Sequence, residues 1–216
     1  MILLHETEYV TVPWKNGGGW TKEILKVPAN ANTFDWRLSL ATIENAGPFS
    51  SFAGYDRTLI LVRGAGVELD FGPHGRAVLN APGQSAAFDG AWQTGCTLID
   101  GPSSDLNLMV SRERAEAETR LIRATAPEII RTAGWDETLV CCIHGSAHVE
   151  DTTGYVAELA SVDVARCQPE DGILTCAPVG TTPAVLFVAS LRRRGTSNNN
   201  LTNLKASAAG FGTATR

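Results

Sequence analysis

Leu59-Ile60-Leu61-Val62-Arg63-Gly64-Ala65-Gly66-Val67 returns 81 residues later as Val140-Cys141-Cys142-Ile143-His144-Gly145-Ser146-Ala147-His148. Each copy reads as an apolar run, a glycine turn and the start of another strand-like run. Two more blocks repeat in the same order: residues 79–83 match 159–163, and residues 106–111 match 185–190. Three blocks in register make a duplicated β-unit the simplest architecture, two related barrels packed together.

The pattern around the repeat agrees. Across residues 34–43, Phe34, Trp36, Leu38 and Leu40 share one face of a strand, and Asp35, Arg37, Ser39 and Ala41 share the other. Similar short runs lie at 58–62, 67–71, 86–88, 96–99, 106–110, 139–143, 155–159 and 184–191. With 21 glycines and 10 prolines in 216 residues, turns are favoured over long helices. Residues 111–121 (SRERAEAETRL) are the one stretch rich in helix formers, and a short helix or a charged connector both fit it. The expected organisation is all-β: a first barrel with the N-terminal segment at residues 1–112, and a second, structural barrel at 113–194. Residues 195–216 should form a flexible tail, since they offer little apolar surface to offset chain entropy.

Composition bounds the function. The hydrophobic set makes up 44% of the chain, enough for a sizeable core, and the net charge of −5 argues against nucleic acid as a partner. No run of about 18 apolar residues is present, so a helical membrane span is not expected. The opening Met1-Ile2-Leu3-Leu4 meets His5 and Glu6 at once, too short an apolar stretch for a secretory signal. Five cysteines (96, 141, 142, 167, 176) without a C-x-x-C pair point to reduced thiols and a cytoplasmic setting. Monomer and homodimer both stay open.

The two copies differ in their last strand. The first alternates Asp105 and Asn107 with Leu106 and Leu108, whereas the second reads Ala184-Val185-Leu186-Phe187-Val188. Polar groups are therefore aimed to one side of the first barrel, and function is expected there. Arg37 and Ser39 stand side by side on one strand face. An arginine inside a small barrel is costly unless a carboxylate pairs with it, and its planar fork suits bidentate carboxylate recognition; an outward-facing arginine is the plain alternative. Trp14-Lys15-Asn16-Gly17-Gly18-Gly19 reads either as a tight bend or as an anion nest of backbone N–H groups. In Gly47-Pro48-Phe49-Ser50-Ser51-Phe52, the two phenylalanines could wall a cleft while Ser50 supplies a hydroxyl. Asp56 and Arg57 are read as support for the turn into the next strand. His144 and His148 with Glu150 invite a metal reading, but no third ligand is placed to complete it.

Taken in order, these motifs resemble the HutD/Ves family of bicupin proteins. The residues that carry the likeness are Trp14 to Gly19 with Thr21 and Glu23, Trp36-Arg37 with Ser39 and Ala41, and Gly47-Pro48-Phe49-Ser50 with Phe52. Gly54, Asp56-Arg57, Gly64 and the run from Asp105 to Met109 continue it. The likeness spans about residues 3–191 and is strongest in the first half. It implies two cupin-type barrels. It also implies a link to bacterial histidine utilisation through a small acidic intermediate such as formylglutamate, formiminoglutamate or urocanate, or to stress response in Ves-like members. Many cupins hold metal through a Gly…His-x-His turn. The matching turn here, Arg63-Gly64-Ala65-Gly66-Val67-Glu68, has no histidine, so neither metal nor cofactor is expected in the first barrel.

The resulting expectation is a non-catalytic bicupin that senses or limits a small carboxylate metabolite. Arg37 would pair the carboxylate, Ser39, Ser50 and Asn107 would hydrogen-bond, and Trp36, Phe49 and Met109 would form the walls. Asn16, Gly17 and Gly18 would close one side. Trp14, Thr21, Glu23, Asp56, Arg57 and Asp105 would support the site. The alternative is a metal-independent isomerase or lyase using Glu23 and Asp105 as acid and base.

Overall fold

A computed structural model describes residues 1–14 and 17–195. Three N-terminal strands, β1 (Ile2–Leu4), β2 (Val10–Pro13) and β3 (Gly19–Val27), precede two copies of one eight-stranded unit. The first copy comprises β4 (Trp36–Ile43), β5 (Gly47–Pro48), β6 (Tyr55–Arg63), β7 (Val67–Asp70), β8 (Arg76–Leu79), β9 (Ser85–Asp89), β10 (Gly95–Leu98) and β11 (Ser103–Ser111). The second comprises β12 (Ala115–Ala124), β13 (Glu128–Arg131), β14 (Glu137–His144), β15 (Ala147–Glu150), β16 (Val156–Leu159), β17 (Val164–Cys167), β18 (Ile173–Pro178) and β19 (Ala184–Arg193).

Hydrogen bonding repeats with the same shift. The large sheet of the first copy runs β4-β11-β6-β9, and that of the second runs β12-β19-β14-β17. The small sheets run β5-β10-β7-β8 and β13-β18-β15-β16. All pairings are antiparallel. The repeated glycines have a shared physical reason. Gly64 and Gly145 sit at φ +95° and +78°, and a Cβ there would meet the Pro102 and Pro183 carbonyl oxygens at 2.5 and 3.0 Å. Each copy thus passes the same turn against the start of its last strand.

Three expectations are corrected. The segment read as helix or connector is strand β12, paired over its whole length with β19. It lies at a sheet edge with much of its length exposed, so its polar composition reflects solvent rather than helix. The N-terminal segment does not belong wholly to the first barrel: β2 and β3 extend its large sheet, but β1 pairs with β17 of the second copy. The last repeat block is displaced by two residues, because Met109 pairs with Arg57 where Ser190 pairs with Thr138. A period-two pattern matches itself equally well after a slip of two. The expected tail, beyond residue 195, lies outside the described residues.

Apolar side chains separate into three layers. One cluster fills the first barrel, around Leu59, Leu61, Val67, Leu69 and Phe71. Another fills the second, around Val140, Cys142, Val149, Leu174 and Leu186. The third draws on both large sheets, with Trp36, Leu38, Leu40, Ile60 and Leu108 from one and Leu139, Cys141, Val164 and Phe187 from the other. The five cysteines are buried and free. No helix of the described residues is long and apolar enough to cross a membrane.

Trp36 is anchored in this shared layer. Its indole N–H donates to the Glu137 carboxylate at 2.7 Å, and Glu137 also accepts from Arg166. Glu137 is 2% exposed. Glu137→Ala should strand the buried indole donor and destabilise the chain by about 1–3 kcal/mol. Urea unfolding measures this as a lower midpoint at unchanged slope.

Candidate ligand-binding site

Strand β4 has two buried faces, and its alternation decides what enters the first barrel. Trp36, Leu38 and Leu40 point to the layer between the sheets, so Arg37, Ser39 and Ala41 point inward. Register with the neighbouring strands then builds rows across the barrel wall. Arg37 on β4, Met109 on β11 and Arg57 on β6 form one row. Ser39, Asn107 and Leu59 form the next, and Ala41, Asp105 and Leu61 the one after. The polar members line a cavity of about 450 Å³. Pro48, Phe49, Ser50 and Phe52 wall one side, and Val12, Pro13, Trp14 and Thr21 another. The Trp14 indole N–H donates to Thr21 Oγ1 at 2.7 Å, which fixes that wall.

The two arginines are held by aromatic rings rather than by carboxylates. The Arg57 guanidinium carbon lies 4.9 Å from the Phe88 ring centre and 5.3 Å from that of Phe49. That of Arg37 lies 5.3 Å from Phe34 and 5.2 Å from Phe52. Contact through a ring face stabilises the charge without consuming the N–H donors. Their polar protein contacts are long: Arg57 donates to the Ser50 carbonyl at 3.4 Å and Arg37 to Met109 Sδ at 3.5 Å. Among the described residues neither arginine forms an ion pair.

Six buried side-chain polar atoms among the described residues lack a hydrogen-bond partner, and five belong to this cavity: Arg37 Nε, Arg57 Nε, both Asp105 carboxylate oxygens and Asn107 Oδ1. The sixth is Thr138 Oγ1, at the position in the second barrel equivalent to Arg57. Folded chains leave few such groups, so their concentration in one cavity singles it out as the candidate site. Burial sets the ionisation. Desolvation lowers both arginines, Arg57 to about 10, with Arg37 adding repulsion and Asp105 opposing the shift. Both stay cationic at neutral pH. Burial pushes the Asp105 carboxyl up to about 7 against the pull of Arg57.

The structure separates the candidate residues. Arg37, Ser39, Phe49, Ser50, Asn107 and Met109 line the cavity. Trp36 does not; neighbours on a strand face opposite ways, and its ring belongs to the inter-sheet layer. Gly17 and Gly18 lie in the β2–β3 turn rather than among the lining residues, with Gly17 at φ +68°. The third glycine of that run has a packing role, because a Cβ on Gly19 would run into the Thr42 carbonyl of β4. Asn16 lies outside the described residues. Of the residues read as support, Trp14, Thr21, Arg57 and Asp105 line the cavity themselves. Glu23 pairs in register with Ser39 on β4 and is not among the lining residues. Asp56 pairs with Arg112 at 2.7 Å on the surface. Arg57 was legible as an inward group, since it shares its strand face with Leu59 and Leu61. Among the described residues no group of three or more His, Cys, Asp or Glu is placed to hold a metal ion. His144 and His148 are exposed, the latter beside Glu158 at 3.5 Å.

An all-β chain built of two repeated antiparallel barrels, one of them holding a polar cavity, is a bicupin. Its fold matches an oxalate decarboxylase from Lactobacillus farciminis with a TM-score of 0.62 over 89% of this chain and 88% of that one, at 8% identity, a likeness of fold alone. The chain belongs to the HutD family, whose model matches residues 6–184. It is 35% identical over 176 residues to an uncharacterised Pseudomonas putida protein from the region 3′ of hutC, covering 80% of this chain and 89% of the relative. It resembles the structure of HutD from Pseudomonas fluorescens SBW25 with a TM-score of 0.76 and 31% identity, over 90% of this chain and 99% of that one. Protein Ves from Citrobacter koseri is 36% identical over 113 residues, 52% of this chain and 59% of the relative.

The raised carboxyl of Asp105 has a signed effect on stability. Its folded-state pKa of about 7 lies above the ordinary aspartate value of 3.8, so the folded chain holds the extra proton between them. Stability is therefore lost as pH rises from about 4 to 7. Asp105→Asn should be more stable than the native chain at pH 8, on the order of 2–4 kcal/mol, with the gain vanishing towards pH 4. Thermal melts across that range measure it.

Proposed function

We propose that this chain binds a small carboxylate-bearing metabolite in the cavity of its first barrel, without transforming it, and so senses or limits that metabolite. The observation that carries this reading is the pair of guanidinium groups, half-buried Arg37 and buried Arg57, with aromatic support and no carboxylate partner among the described residues. Buried charge of that kind is stabilised when an anion arrives to share it. A guanidinium fork suits a carboxylate, and the unpartnered Asn107 Oδ1 suits an N–H donor on the same ligand. The cavity of about 450 Å³ is within the size range of small-molecule sites. The relative from beside hutC, together with the family itself, supports an intermediate of histidine breakdown. Formylglutamate, formiminoglutamate and urocanate all carry the required carboxylate.

Asp105 favours a second reading. A buried carboxyl that titrates near neutrality beside a cationic cavity is a competent acid–base group, as a metal-independent isomerase or lyase on an acidic substrate would need. Product formation on mixing these acids with pure protein would establish that reading, whereas saturable binding without product supports the sensor.

Calorimetric titration with formylglutamate and urocanate should show saturable binding. Arg37→Ala and Arg57→Ala should each weaken it by at least about 30-fold, corresponding to ~2 kcal/mol or more for one partner of a buried charge pair. Unchanged affinity in either variant removes that arginine from the site.

A further inference from the structure

Among the described residues three ionisable groups share the cavity, and a ligand that enters cannot leave their charges independent of one another. Arg37 and Arg57 stand on either side of Met109, and Asp105 lies on the same inward face of β11, flanked by Ala41 and Leu61. Asp105 is 2% exposed, and among the described residues neither carboxylate oxygen has a hydrogen-bond partner. The groups facing it are few. From β6, the Arg57 charge favours its ionised form. From β10 comes the Cys96 thiol, which burial raises to about 12 and so keeps neutral. Arg37 of β4 acts on Arg57, and Glu23 of β3 and Tyr55 of β6 act on Arg37. Among the described residues no donor fixes Asp105 in either protonation state. That choice is left to the occupant.

We propose that the pocket selects small acids by charge through Asp105: dianionic ligands bind with a proton taken up by this carboxylate, and monoanionic ligands bearing an N–H donor bind with it ionised. The inference rests on the anion-binding reading above. Its basis is the charge balance of a desolvated cavity, where unpaired charge is costly. Two guanidinium groups are neutralised by a dianion alone, so an ionised Asp105 would then be surplus. The proton it takes from solvent makes it an O–H donor to a ligand carboxylate. With a monoanion the second negative charge must come from Asp105, whose oxygens then accept from an amide or similar N–H. Both forms are available near neutrality, because burial holds this carboxyl at about 7.

Glutarate and its mono-amide, glutaramate, test this on one carbon skeleton with two charges. Calorimetry of the full chain between pH 6 and 8.5, in buffers of different ionisation heat, reads both affinity and proton exchange. Glutarate affinity should fall about tenfold per pH unit above 7, with close to one proton taken up per ligand at pH 8. Glutaramate affinity should instead fall below pH 7, with proton release. In Asp105→Asn the glutarate curve should be flat with pH, and glutaramate should bind more weakly than to the native chain. Glutarate binding that is pH-independent and exchanges no proton in the native chain overturns the coupling and leaves the anion pocket standing. Failure of both acids to bind overturns the coupling and the pocket together.

Discussion

Trp36 and Arg37 are covalent neighbours whose side chains end up in different cores, and the rest of the site depends on that division. The two large sheets share one apolar layer, to which β4 contributes Trp36, Leu38 and Leu40. Strand geometry then leaves Arg37, Ser39 and Ala41 only the inside of the barrel. A slip of one residue would exchange the two sets, placing a guanidinium between the sheets and a tryptophan in the pocket. The cost of partly burying Arg37 is thus imposed by the same pattern that holds the barrels together. Glu137, which accepts from Trp36 across the layer, secures the register from the side of the second copy.

The duplication shows how one frame serves two ends. Where the first barrel carries Arg57, Asn107 and Asp105, the equivalent places in the second are Thr138, Val188 and Leu186. The second interior is closed by apolar packing and cysteines. The first gives up part of that packing for a polar cavity. Its aromatic residues compensate: Phe34, Phe49, Phe52 and Phe88 surround the guanidinium groups and stabilise the charge, while the donors stay available. A carboxylate in their place would have neutralised the arginines and occupied their donors.

The errors of reading from sequence share a cause. Assigning Trp36 to the pocket treated adjacency in the chain as adjacency in space, which a strand reverses at every residue. Reading Arg57 as turn support gave weight to the local Asp56-Arg57 pair over the longer alternation with Leu59 and Leu61. For the segment of β12, helix propensity and charge suggest a short helix or a connector, weak priors that pairing with β19 overrides. The three glycines fit a tight bend or a ligand nest; Gly17 sits in the bend, while Gly19 answers to the backbone of β4 and that need is invisible until β3 and β4 are paired.

Alternation and repetition are properties of the chain alone, so the strands, the duplication and the strand face that Arg37 shares with Ser39 and Ala41 could be read before any coordinates. They are local or self-referential, and a period of two needs no knowledge of neighbours. Which groups meet inside the barrel is a matter of register between strands distant in sequence. Only the folded chain sets Arg37, Met109 and Arg57 in one row. Burial also belongs to the fold: Asp105 is an ordinary aspartate in the sequence, and it becomes a proton-holding acid once the barrel removes it from water.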